Sequence, residues 1–272
     1  MKIQSYIREA DAVVIGAGAG LSASAGLTYG GERFQRLCPD YIEKYGFTDM
    51  YSAAFYPHQT LEEFWGYMSC HIYYNRYKQE INDVYKNLLS IVQDKNYFVI
   101  TTNVDHLFQT TGFDKERLFY TQGDYGLFQC SVPCHNQTYD NKALIYEMIE
   151  KQRDLKIPIE LIPRCPKCNQ PMTTNLRKDD RFVEDAGWHQ AMHRYSEFIT
   201  TNKDKKIVFL ELGVGFNTPS IIKYPFWQMT HNNKQAIFIS INKEDVPAAK
   251  EILPQSILVA EDINKVLNDV EK

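Results

Sequence analysis

Six short apolar runs stand out along the chain, near Asp11–Ile15, Tyr97–Thr101, Arg117–Tyr120, Ile207–Leu212, Ala236–Ile241 and Ile257–Ala260. Each is rich in Val, Ile, Phe or Tyr and is continuously apolar rather than alternating, as strands covered on both faces of a parallel sheet are. Most stop at a small or polar residue: Gly16, Thr102-Asn103, Thr121-Gln122, Gly213, Asn242 and Glu261-Asp262. Open α/β sheets bind ligands at the carboxyl ends of their strands, so the pattern gathers polar chemistry where such a fold uses it. Between the runs, apolar residues recur at helical spacing. The longest such stretch, Thr60–Val92, carries Leu61, Phe64, Trp65, Met68, Ile72, Tyr73 and Tyr77 and predicts more than one helix. Thr60 followed by Glu63 reads as a capping box at its start. The elements together predict an α/β fold, a Rossmann-like doubly wound parallel sheet.

One stretch breaks this pattern. From Cys130 to about Asn175 the chain holds four of its six cysteines, several prolines and a polar middle. We read residues 130–175 as a small module inserted into a Rossmann-like domain made of residues 1–129 and 176–272. Cys130-x3-Cys134 and Cys165-x2-Cys168, separated by 30 residues, can supply four thiolates in a tetrahedron, the pattern of a zinc ribbon. Unligated buried cysteines and a mixed site using His135 are the alternatives. Four protein ligands leave no open position for water, so the expected Zn2+ is structural. Cys38 and Cys70 stand alone in the sequence and read as packing residues.

The bulk numbers narrow the setting. A chain of 272 residues suits one large α/β domain with a small insert. Its 44% hydrophobic and 24% charged residues are ordinary for a globular protein. The balance of 30 basic against 34 acidic residues argues against a dedicated nucleic-acid binder. The 18 tyrosines read as core and rim packing. No apolar run approaches a membrane span, and the N-terminus, MKIQSYIREADAVVIG, lacks signal-peptide architecture. The expectation is a cytoplasmic protein with reduced thiols and neither a membrane nor a nucleic-acid partner.

The Gly16-Ala17-Gly18-Ala19-Gly20-Leu21-Ser22 turn directly follows the first strand. Glycines let backbone approach a pyrophosphate, and a helix starting after the turn offers N–H groups to it. Alone this is equally a tight turn with no ligand, and Leu21 stands where the third glycine of a dehydrogenase fingerprint would be. Its continuation changes the reading. G-A-G-L-S-A-S-A-G-L resembles the sirtuin signature. So do Thr101-Thr102-Asn103-Val104-Asp105, the loop Gly213-Val214-Gly215-Phe216-Asn217-Thr218-Pro219, Ile239-Ser240-Ile241-Asn242 and Ala260-Glu261-Asp262, in family order. The resemblance covers nearly the whole chain, with the cysteine module in the expected gap.

What the resemblance implies is cleavage of the nicotinamide–ribose bond of NAD. Gly18, Ala19, Gly20 and Ser22 would line the cofactor, Asn103 would orient the nicotinamide-side ribose or a water, and Asp105 would bind the nicotinamide amide. Gly213, Gly215, Asn217, Asn242 and Asp262 would hold the adenosine half. Three departures then separate this chain from deacylating sirtuins. The family's catalytic histidine, in an H-G pair, is replaced by Gln122 in Gln122-Gly123, and glutamine cannot accept a proton at useful pH. The apolar F-G-E segment is replaced by Met172–Arg177, which places Arg177 near the acceptor; a guanidinium there suits a diphosphate or carboxylate, or is simply a solvated surface arginine. The P-D-F-R loop becomes Thr28-Tyr29-Gly30-Gly31-Glu32-Arg33-Phe34, in which Arg33 and Phe34 are candidates for the family's roles.

These departures resemble the class M branch of sirtuins, which is linked with macrodomain hydrolases. The resemblance implies a protein ADP-ribosyltransferase with Asn103, Gln122 and Arg177 as its catalytic set. The implied acceptor is a lipoylated glycine-cleavage-H-like carrier protein. Lysine deacylation is the alternative, with NAD hydrolysis and a binding module without turnover behind it. His106, beside Asp105, is expected to point elsewhere.

Overall fold

A computed structural model of the chain describes residues 2–271. The strands are β1 (Ala12–Ala17), β2 (Tyr97–Thr101), β3 (Leu118–Tyr120), β4 (Gly123–Cys130), β5 (Tyr139–Asp140), β6 (Met172–Leu176), β7 (Ile207–Leu212), β8 (Ile237–Asn242) and β9 (Ser256–Ala260). Six of them form one sheet in the order β3-β2-β1-β7-β8-β9, with every pairing parallel. The other three form a small antiparallel sheet, β5-β4-β6. All six apolar runs read from the sequence are strands of the large sheet.

The helices are α1 (Lys2–Glu9), α2 (Ala19–Ser24), α3 (Gly31–Leu37), α4 (Pro39–Tyr45), α5 (Met50–Ala54), α6 (Leu61–Ile72), α7 (Val84–Val92), α8 (Leu107–Thr111), α9 (Lys142–Lys151), α10 (Ala186–Asn202), α11 (Lys223–Asn232) and α12 (Ile263–Glu271). The 60–92 stretch does divide: α6 runs into one π-helical turn, Tyr73–Tyr77, before α7 begins at Val84. At the start of α6, Thr60 Oγ1 accepts from Glu63 N at 3.3 Å. Glu63 gives its carboxylate to Gln59 N and Lys156 rather than back to Thr60, so only half of a capping box forms.

Strand pleating explains the layers. On β1, Val13 and Ile15 face the core shared with Leu88 and Val92 of α7 and Leu267 of α12. Ala12 and Val14 face the opposite core, with Phe209, Phe226 and Phe238. A third core is the aromatic-rich one, where Phe34, Trp65, Tyr67 and Met68 pack against Phe128, Ile145 and Met148. Helices between Gly31 and Tyr77 thus share a core with the cysteine-bearing segment, and the small lobe draws on two stretches of chain. The polar middle of that segment holds the helix α9, whose Ile145 and Met148 are fully buried.

From β1 the chain steps outward to β2 and β3 on one side, and from β7 to β8 and β9 on the other. The crossover point is therefore the β1–β7 seam, where doubly wound folds open a crevice. Backbone meets backbone there: Gly18 N donates to Leu212 O at 3.0 Å and Gly20 N to Gly213 O at 2.9 Å. A Cβ on Gly18 would lie 2.6 Å from Gly213 O, and one on Gly20 2.6 Å from Gly213 Cα. Gly213 has φ +62° and a Cβ there would fall 2.3 Å from Leu21 N. Gly213→Ala is expected to lower stability by about 1–3 kcal/mol from the backbone conformation alone, with the contact adding to it. Urea unfolding reads this directly, and a variant as stable as the parent would contradict the packing described.

Candidate active site

The site lies along the carboxyl edge of the large sheet, on the loops after β1, β2, β3, β7 and β8. Thr101 Oγ1 donates to Ala17 O and accepts from Asn103 N, both at 3.0 Å, so the β2 loop turns back over β1. Asn103 Nδ2 donates to Gly18 O at 3.0 Å. That bond spends the amide's NH2 on the glycine loop and directs its carbonyl oxygen elsewhere. Ser22 Oγ donates to Asp105 Oδ2 at 2.5 Å, and Leu107 N to Asp105 Oδ1 at 3.0 Å. Burial raises the Asp105 pKa above the ordinary value, against the pull of those two donors. The structure thus brings Gly18, Gly20, Ser22, Asn103 and Asp105 into one bonded unit with Gly213. The N–H groups of Gly18 and Gly20 are spent within it, rather than left open as a bare helix start would leave them.

On the adenosine-side candidates the picture is mixed. Asn242 ends β8 and abuts this unit, because Gly213 N donates to Ile241 O at 3.0 Å. Gly215 and Asn217 are exposed on the loop after β7. Asp262 accepts from Lys265 N and from Ser24 Oγ, so it caps α12 and ties it to α2.

Gln122 follows β3, one strand over from Asn103. Its side chain donates weakly to Thr121 Oγ1 at 3.3 Å, and its backbone carbonyl accepts from the backbone N–H of Arg177 at 3.0 Å. That bond joins two predicted residues, 55 positions apart, at the open end of the β4–β6 pair. Gly123 makes the approach possible: φ is +94° and a Cβ there would sit 1.9 Å from Asn175 O. Trp188 Nε1 of α10 donates to Thr121 O at 3.2 Å and fixes the turn from outside. Arg177 is exposed but held by neighbours. Its guanidinium meets Glu184 at 2.5 Å and lies 4.3 Å from the Phe182 ring and 5.4 Å from that of Trp188. It lines a polar cavity of about 350 Å³ with Asn136, Arg181, Glu184 and His189. A larger cavity, about 430 Å³, lies between α1, α7 and α12, and no predicted site residue lines it.

His106 sits in the left-handed region at φ 68° and its Nδ1 meets Asp124 Oδ2. Asp124 also accepts from Arg76 Nε at 2.8 Å and Gly126 N at 2.6 Å. Burial pushes the Asp124 pKa up, but His106 and Arg76 outweigh it and leave the carboxyl below its usual range.

The rebuilt loop after α2 departs from expectation. Arg33 donates to Thr28 O, Asn75 Oδ1 and Tyr74 O, which braces the loop against α6 and its π turn. Phe34 is buried in the small-lobe core. The residue reaching inward is Tyr29, whose hydroxyl lies 2.8 Å from that of Tyr125, which in turn lies 2.9 Å from His71 Nε2. Burial pushes Tyr29 up to about 12 and His71 down to about 3. Sequence reasoning missed this chain of rings, because nothing in the spacing links Tyr29, His71 and Tyr125.

The sulfur atoms of Cys130, Cys134, Cys165 and Cys168 all lie within 4.8 Å of one another. Four Zn–S bonds of about 2.3 Å put tetrahedral sulfurs within roughly 4 Å, and the closest pairs here are 3.5 and 3.7 Å. The residues fit a structural Zn2+. His135 Nδ1 lies 3.0 Å from Cys134 Sγ and its Nε2 2.7 Å from Tyr139 OH, so it stands behind the sulfurs. Cys38 and Cys70 are buried as expected, but they are neighbours, 3.9 Å apart at sulfur, rather than solitary. Among the described residues no helix is long and apolar enough to cross a membrane.

No family model matches the chain. A "Protein ADP-ribosyltransferase" of Staphylococcus aureus (strain Mu50 / ATCC 700699) is 44% identical over 266 residues, 97% of this chain and 84% of that relative. A "Probable bifunctional ADP-ribose hydrolase/ADP-ribosyltransferase" of Fusarium oxysporum f. sp. cubense is 32% identical over 237 residues, covering 82% of this chain and 38% of that longer protein. Among solved structures, Sir2Tm bound to a propionylated peptide aligns with a TM-score of 0.62 at 16% identity, over 99% of this chain and 95% of its own. A Sir2 homologue–NAD complex aligns at 0.59 and 16% identity, over 99% and 91%. At that identity the likeness establishes the fold.

The buried imidazole gives the small lobe a pH signature. With His71 near 3 in the folded protein and 6.5 as its ordinary value, the unfolded chain binds the extra proton between those limits. Stability therefore falls as pH drops below about 6.5. The loss from this residue is about 2 kcal/mol between pH 7 and pH 5, and His71→Gln should remove it. Urea unfolding of both proteins at both pH values checks this; an unchanged pH dependence in the variant would contradict a neutral buried His71.

Proposed function

The chain belongs to the sirtuin-type protein ADP-ribosyltransferases, and from that premise we propose how its site works and what it modifies. Gly18, Ala19, Gly20 and Ser22 hold the dinucleotide, with Asp105 at the nicotinamide amide. Gly213, Gly215, Asn217, Asn242 and Asp262 serve the adenosine half. Asn103, Gln122 and Arg177 are the catalytic set. NAD is the substrate: the bond from its ribose carbon to nicotinamide breaks, and the bonding electron pair leaves with neutral nicotinamide. Preorganised dipoles stabilise the positive charge that develops on the ribose. Asn103 suits that task, since its NH2 is fixed on Gly18 O and its carbonyl oxygen is free to face a cation.

The observation that carries the proposal is the backbone bond from Arg177 N to Gln122 O, which brings the two residues to one end of β4 and β6. Where a deacylating sirtuin has an imidazole, this chain has the Gln122 amide, and the adjoining strand end carries Arg177, whose guanidinium already meets the Glu184 carboxylate. An acceptor carboxylate brings its own electron pair and needs no base, so a glutamine costs such a reaction nothing. We assign the acceptor as a protein, a lipoylated glycine-cleavage-H-like carrier, with Arg177 gripping the acceptor carboxylate or the diphosphate. The name of the Fusarium relative joins an ADP-ribose hydrolase to a transferase, which supports a functional link to a macrodomain hydrolase that reverses the modification.

A second reading, NAD-dependent lysine deacylation, is favoured by one feature, the His106–Asp124 pair, which holds an oriented imidazole on Asp124, two residues after Gln122. Labelled NAD incubated with the lipoylated carrier, the unmodified carrier or an acyl-lysine peptide separates the readings. Label is expected on the lipoylated carrier, reduced at least 100-fold by Asn103→Ala and about 10- to 100-fold by Gln122→Ala. His106→Ala should leave transfer within about threefold. Brisk peptide deacylation that His106→Ala abolishes would establish the second reading instead.

A further inference from the structure

Strand β7 reads Ile207-Val208-Phe209-Leu210-Glu211-Leu212, and all of it is buried. A carboxylate in such a strand is costly unless it is paired. Lys223 Nζ meets Glu211 Oε1 at 2.6 Å, with side-chain exposures of 1% and 0%. Lys223 opens α11, the end of a helix where the dipole disfavours a cation, so its placement serves the carboxylate.

The same oxygen, Glu211 Oε1, accepts from Ser240 Oγ of β8 at 3.0 Å. A hydroxyl has one proton. Having given it to Glu211, Ser240 Oγ can only accept, and it accepts from Asn242 Nδ2 at 3.1 Å. The amide of Asn242 is thereby fixed with its NH2 toward Ser240 and Oδ1 turned away. Among the described residues nothing donates to Asn242 Oδ1, and it is not among the buried polar atoms left without a partner. The Lys223 ammonium also lies 5.1 Å from the Phe216 ring and 5.8 Å from that of Trp227. Both are within cation–π reach, and Phe216 belongs to the loop after β7 that carries Gly215 and Asn217.

We propose that Lys223, Glu211 and Ser240 form a positioning chain that presents Asn242 Oδ1 as a hydrogen-bond acceptor to the adenosine half of the dinucleotide. This rests on the assignment of Asn242 to the adenosine half. An apolar trio could hold the strands and α11 together equally well. It could not dictate the direction of the Ser240 hydrogen bond, and without that direction the Asn242 amide presents its NH2 as readily as its oxygen. The ligand group that matches is a donor on adenosine, either a hydroxyl of its ribose or the 6-amine of its base.

The test measures binding of ADP-ribose by calorimetry, beside one analogue without the adenosine-ribose hydroxyls and one without the 6-amine. Wild type, Ser240→Ala and Asn242→Ala are compared. Ser240→Ala is expected to weaken ADP-ribose about 5- to 10-fold, the scale of one hydrogen bond, and to raise the KM for NAD by the same factor while kcat moves far less. Against the analogue that lacks the donor read by Asn242, wild type and Ser240→Ala should bind alike, and which analogue behaves so identifies the donor. An equal loss with all three ligands, or no loss at all, would overturn the positioning role. Wild-type binding by Asn242→Ala would overturn the adenosine assignment beneath it, a different failure and visible as such.

Discussion

Gly18, Gly20 and Gly213 leave no room between two loops for even one methyl group, since added Cβ atoms would come within 2.3–2.6 Å of opposing backbone. That contact closes the β1–β7 seam and decides where everything else stands. It seats Gly18 O where Asn103 Nδ2 can reach it, places Ser22 over Asp105, and brings the end of β8, with Asn242, beside the same loop through the bond from Gly213 to Ile241. The site is thus built on backbone held by backbone at strand ends, which is more rigid support than side chains on mobile loops would give.

On this frame two chemistries are kept apart. The proposed ribose side is built from amides and carboxylates whose hydrogen-bond directions are set by neighbours. The proposed acceptor side lies at one end of the small antiparallel sheet, where Gln122 and Arg177 flank β4 and β6 and Gly123 approaches Asn175 closely. The four cysteines stand at the opposite end of those strands. A zinc ion there would be held by Cys130, Cys134, Cys165 and Cys168 and would tie the far ends of β4 and β6, away from Gln122 and Arg177.

Much of this was legible in the sequence for a plain reason. Buried parallel strands must be continuously apolar, and the runs from Asp11–Ile15 to Ala236–Ile241 followed that rule, so the sheet and its carboxyl-edge loops were legible; Ile257–Ala260 is an edge strand that stays partly exposed, so its expected cover on both faces is not found. The glycine turn and the cysteine spacings are local, and local patterns survive in one dimension. What was not legible depends on approach between distant segments. The small-lobe core draws on residues near 34–72 and 125–172, and no periodicity links them. Cys38 and Cys70 are 32 positions apart and touch only because α4 and α6 pack. Phe34, a candidate for the family's role in the cofactor loop, lies on α3 and is buried in the small-lobe core. One signal was present and passed over: a glutamate in the otherwise apolar run Ile207–Leu212 has to be answered by a buried cation, and Lys223 answers it.

The central claim is that fixed amides and a guanidinium serve both the breaking of the nicotinamide–ribose bond, with release of nicotinamide, and the forming of a new bond from that ribose carbon to the acceptor, with no imidazole acting as base. The rate of ADP-ribosyl transfer under saturating NAD and carrier, followed from pH 6 to pH 8.5, tests it most directly. A flat profile is what glutamine, asparagine and arginine predict, since none of them titrates there. A rate that rises through the ordinary imidazole range near 6.5, and loses that rise in His106→Ala, would contradict it.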